Sequence, residues 1–68
     1  MKLEKQEAVI EGILSAMGES VEISKLADVL ETSVEEIQKI LQRMMKRYKS
    51  GNRGIEMIEI EDSVQLCT

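Results

Sequence analysis

A chain of 68 residues makes one small domain, which buries only about 60% of the surface its unfolded form exposes and so has a narrow stability margin. The single cysteine, Cys67, excludes an internal disulfide, and the lack of histidine excludes the common zinc sites. With 43% apolar and 32% charged residues and a net charge of −4, the sequence reads as an ordinary folded protein that would need a local basic patch to bind nucleic acid.

The spacing of apolar residues predicts a first helix from Leu3 to Met17. At 100° per residue, Leu3, Val9, Ile10, Ile13, Leu14 and Met17 form one broad stripe, while Glu4, Glu7 and Glu11 are expected to face water. Gly18 suits the left-handed position after the last turn. Val21-Glu22-Ile23 alternates as a very short strand does. Ser24 is then the expected N-cap of a short helix, Lys25 to Leu30, burying Leu26, Val29 and Leu30, with Ala27 allowing close approach.

After a tight turn at Glu31-Thr32, Ser33-Val34-Glu35-Glu36 reads as a capping box. It opens a third helix, Val34 to Tyr48, with Val34, Ile37, Ile40, Leu41, Met44, Met45 and Tyr48 on one arc and polar residues opposite. Glu35 and Lys39, four apart in the favoured order, are expected to pair. Ser50-Gly51-Asn52 ends this helix.

Beyond Gly54 the period changes to two: Ile58 and Ile60 alternate with Glu59 and Glu61, and Val64 and Leu66 with Gln65 and Cys67, around an Asp62-Ser63 turn. Three helices followed by a β-hairpin make a mainly α, winged helix-turn-helix fold.

Nothing in the chain suggests catalysis. There is no histidine to serve as a base, no nucleophile motif and no phosphate-binding glycine loop, and Cys67 has no base to activate it. No catalytic, cofactor-binding or metal-ligating residue is assigned. A single tyrosine leaves no aromatic platform for single-stranded nucleic acid. No apolar run approaches the roughly 18 residues of a membrane span, and a cytoplasmic setting is expected.

Helix-turn-helix readers place the start of the second helix of the motif against base edges. Here that position carries Glu35 and Glu36, which phosphates repel, so sequence-specific reading is not expected. Lys39, Arg43, Lys46, Arg47, Lys49 and Arg53 are six basic residues in a stretch free of acidic ones. They fit a solvated face balancing the helix dipole, a contact patch for an acidic protein, or a non-specific hold on phosphate. The first of these is the simplest.

On the first helix, Ala8, Gly12 and Ala16 recur every fourth residue beside Ser15. A glycine in mid-helix costs about 0.8–1 kcal/mol relative to alanine. Small side chains in a row let another element approach closely, either one from the same domain or one from a second molecule.

Several segments together resemble the amino-terminal part of the segregation and condensation protein B (ScpB) family. They are Ile10-Glu11-Gly12-Ile13-Leu14-Ser15-Ala16-Met17-Gly18-Glu19, Leu26-Ala27-Asp28-Val29-Leu30 and Ser33-Val34-Glu35-Glu36-Ile37. Tyr48, then Arg53-Gly54-Ile55-Glu56-Met57-Ile58-Glu59, and the closing Gln65-Leu66-Cys67-Thr68 complete the match. Two departures stand out: Glu31 replaces a glycine common in the turn, and Ser63-Val64 replaces a glycine-aromatic pair in the wing.

The resemblance implies the first of two tandem winged-helix domains in a non-catalytic subunit of the bacterial SMC–kleisin complex, serving chromosome condensation and segregation. It implies a homodimer that binds the ScpA-like kleisin and, through it, the SMC ATPase at the nucleoid. The alternative from the residues is a winged-helix DNA-binding transcriptional regulator, expected to bind duplex with a steep salt dependence.

Overall fold

A computed structural model describes residues 2–51 and 54–67. The element order is α1 (Leu3–Met17), β1 (Val21–Glu22), α2 (Ile23–Val29), α3 (Val34–Ser50), β2 (Glu56–Ile60) and β3 (Ser63–Cys67). The strands form one antiparallel sheet in the order β1-β3-β2, with Val21 opposite Val64 and Met57 opposite Leu66. This is the winged-helix arrangement.

The core gathers the predicted stripes. Ile10 and Leu14 from α1, Leu26 from α2, Ile37, Leu41 and Met44 from α3, and Val64 from β3 are all buried in one cluster. Burying a side chain of this size is worth about 1.5–3 kcal/mol, and these residues carry most of the stability a small domain can gather.

The ends of α1 and α3 follow local rules. Gly18 takes φ +67° and donates its amide to the Leu14 carbonyl at 3.3 Å. At the start of α3 the Ser33 hydroxyl accepts from the Glu36 amide at 3.2 Å. The Glu36 carboxylate, however, lies 3.7 Å from Lys39. The ion pair therefore joins Glu36 to Lys39 and replaces the expected pairing of Glu35 with Lys39.

The second helix differs most from the sequence reading. It begins at Ile23, its N-cap is Glu22, and no side chain caps it; Ser24 lies inside its first turn. The cause is tertiary. Glu22 is held in β1 by pairing with Ser63, Ile23 is buried, and the Ile23 amide donates to the Asp62 carbonyl of the wing turn at 2.7 Å. That backbone bond gives the first amide of α2 an acceptor in the absence of a side-chain cap.

Helix α2 also ends earlier than expected, at Val29, with Leu30 as its C-cap. Val29, expected in the core, is 59% exposed. The Thr32 amide donates to the Ala27 carbonyl at 2.9 Å and the Glu31 amide to that of Asp28 at 3.2 Å. These are the paired bonds of a Schellman motif, and they place Glu31 at its left-handed position, φ +55°. The departure noted at Glu31 therefore falls where glycine fits without strain.

Two further expectations on α1 change. Met17 is half-exposed although it lies on the apolar stripe. Glu7, expected in water, is 7% exposed. In the wing, the turn is Glu61-Asp62 and Ser63 already pairs with Ile60. Directly opposed residues share a face, so Met57 joins Val64 and Leu66 inward while Ile58 and Ile60 lie on the outer face, exposed. The alternation is real, but its inward member on β2 is a methionine at the other phase.

Candidate protein-interaction site

Helix α3 presents two chemically distinct ends. Glu35 and Glu36 occupy its first turn and are exposed, as are Gln38, Lys39, Gln42 and Arg43 farther along. Carboxylates beside the Ser33 cap complement the positive end of the helix dipole. They occupy the position where a helix-turn-helix reader would meet DNA.

The six basic residues do not stay together. Lys39 pairs with Glu36, and Arg47 turns toward α1, where its guanidinium lies 2.7 Å from the Glu7 carboxylate. One turn on, the Tyr48 hydroxyl donates to the Glu11 carboxylate. Glu7 and Glu11 therefore tie α1 to the end of α3. Glu7 is buried against the half-exposed Arg47, so removing the arginine strands a carboxylate at the edge of the core. Arg43, Lys46 and Lys49 are exposed and join no ion pair among the described residues. Arg53 lies outside the described residues.

The link through Glu7 had a sequence signal. Glu7, Ile10 and Leu14 are spaced by three and four, which puts the glutamate in line with two core residues. Its burial follows from that alignment.

A cleft of about 370 Å³ opens between α3 and β2, lined by Met45, Tyr48 and Met57 with Gln42, Lys46, Lys49 and Glu56 at its rim. Sequence reading did not bring these together, since the cleft joins a helix to a strand distant in sequence. On α1, Ala8, Gly12, Ser15 and Ala16 are all exposed, and a Cβ added at Gly12 would meet nothing within 4 Å. No element of the domain fills that stripe among the described residues.

Among the described residues no group of three or more histidine, cysteine or acidic side chains is placed to hold a metal, and no helix is long and apolar enough to cross a membrane.

Residues 8–68 match the model of the family described as segregation and condensation complex subunit ScpB. The chain belongs to the ScpB family. It is 47% identical over 68 residues to the segregation and condensation protein B of Lachnoclostridium phytofermentans, covering all of this chain and 36% of that protein. It is 43% identical over 63 residues to its counterpart from Caldanaerobacter subterraneus subsp. tengcongensis, covering 93% of this chain and 38% of that one. The chain thus spans little more than a third of the length of these ScpB proteins.

Among solved structures, one described as a dimer of the ScpB N-terminal domain complexed with a ScpA peptide superposes with a TM-score of 0.89. It is 28% identical, and the match covers 97% of this chain and 83% of that one. The match takes in nearly the whole chain, so the wing belongs to the shared fold.

Proposed function

We propose that this chain is a non-catalytic interaction module of an SMC–kleisin complex, acting in chromosome condensation and segregation as a homodimer that engages a ScpA-like kleisin. One observation carries the reading: nearly the whole chain superposes on an ScpB N-terminal domain described as a dimer with a ScpA peptide. The share of its relatives that the chain spans is in keeping with a first domain of two. A cytoplasmic place at the nucleoid follows from this role.

The surface chemistry agrees with it. The stripe of Ala8, Gly12, Ser15 and Ala16 is open to a second molecule, and its small side chains permit close approach of a helix. We assign it to self-association. The exposed carboxylates at the start of α3 argue against the regulator alternative, because a duplex seated there would meet Glu35 and Glu36.

Molar mass by light scattering tests the first half of the reading, and titration with a ScpA middle segment tests the second. A dimer that binds the segment is the expected result. A monomer at micromolar concentration that ignores the segment yet binds random duplex would return the chain to the DNA-binding class.

A further inference from the structure

We propose that the cleft between α3 and β2 is a docking groove for an acidic segment of a partner protein that also carries apolar side chains. The inference rests on the interaction reading above and adds to it the place and chemistry of one contact.

The groove pairs an apolar floor with a cationic rim. Met45, Tyr48 and Met57 form the floor, and its volume of about 370 Å³ has room for a few inserted side chains. Met45 is only partly buried, so its flexible thioether adapts to what enters. At the rim, Lys46 and Lys49 find no ion-pair partner among the described residues, while Arg47 between them is engaged by Glu7.

Charge complementarity selects the occupant. Free lysines are cheap in water and by themselves mark no site. Around an open apolar floor they do more: an incoming carboxylate would be held by Lys46 or Lys49 while neighbouring apolar groups bury against the methionines. The chain as a whole is acidic, with a net charge of −4, whereas Lys46 and Lys49 lie in a stretch free of acidic residues. The groove also borders β2, an edge strand of the sheet, whose outer backbone groups suit an extended segment. A duplex fits less well. Glu56 lies at the rim, Glu59 and Glu61 are exposed on the adjoining wing, and phosphates gain nothing from a methionine floor.

The test measures fluorescence anisotropy of a labelled peptide alternating glutamate and leucine, one alternating glutamate and serine, and random duplex DNA. Each is titrated with the parent chain, with K46E/K49E, and with K2E/K25E, which changes the net charge equally at other faces; circular dichroism checks folding. The leucine peptide should bind the parent chain, lose at least about tenfold in affinity with K46E/K49E, and lose less than about twofold with K2E/K25E. The proposal fails if the leucine peptide does not bind, if the serine peptide binds equally well, or if both double variants weaken binding alike. Duplex binding that K46E/K49E abolishes, with no peptide binding, reassigns the rim to phosphate. A ScpA middle segment in the same assay separates the two readings. Binding unchanged by K46E/K49E would sink the groove alone, and no binding to the parent chain would sink its engagement of the kleisin.

Discussion

The first turn of α3 shows Glu35 and Glu36 to solvent, and its last turns carry Arg43, Lys46, Arg47 and Lys49. On a charge map the two ends look like mirror images, each matched to its end of the helix dipole. Structurally they differ. At the amino-terminal end the charges act within the helix, beside the Ser33 cap and in the Glu36–Lys39 pair. At the carboxy-terminal end Arg47 and Tyr48 reach across to Glu7 and Glu11 and hold two helices together, leaving Lys46 and Lys49 at an open groove. Charge of one sign along a few residues therefore hides two jobs, one structural and one available for binding.

Substitutions at the two ends test that contrast by urea unfolding followed by far-UV circular dichroism. Tyr48→Ala removes a buried ring and the bond to Glu11, and should cost about 3–5 kcal/mol, enough to unfold much of the population of so small a domain. Arg47→Met should cost about 1–3 kcal/mol by stranding the Glu7 carboxylate, reduced because Arg47 is half-exposed. In the same assay Lys49→Met should stay within about 0.5 kcal/mol of the parent chain. Equal losses for Arg47 and Lys49 would erase the distinction.

At the other end, Ser33→Ala should cost about 1 kcal/mol through the lost cap. The turn before it offers a gain of similar size. Glu31→Gly should stabilise by roughly 0.5–1 kcal/mol, because glycine adopts the left-handed Schellman position without strain, less its greater freedom when unfolded. Smallest of all, Glu35→Gln should cost a few tenths of a kcal/mol, an effect that added salt should erase. A larger loss from Glu35→Gln than from Ser33→Ala would mean that charge, rather than the cap, holds this end.

The fold was legible in the residues: the stripes of α1 and α3, except for the exposed Met17 and Val34, the left-handed Gly18, the Ser33 cap and the change to a two-residue period appear in the structure. The site was legible only in part. The small-residue stripe on α1 is exposed. The basic cluster was visible as a run of residue types, but its division between Glu7 and the groove was not.

Periodicity, caps and breakers act over a few residues, and so local composition sufficed for the helices, the wing and their order. The start of α2 at Ile23 depends on the Asp62 carbonyl, and the inward phase of β2 on Val64 and Leu66 across the hairpin. The pairing of Glu7 with Arg47 and the cleft between Met45 and Met57 likewise join residues far apart in the chain. Such contacts come into being when the chain closes on itself, because hydrogen bonds, ion pairs and buried surface depend on distance in space and not along the backbone.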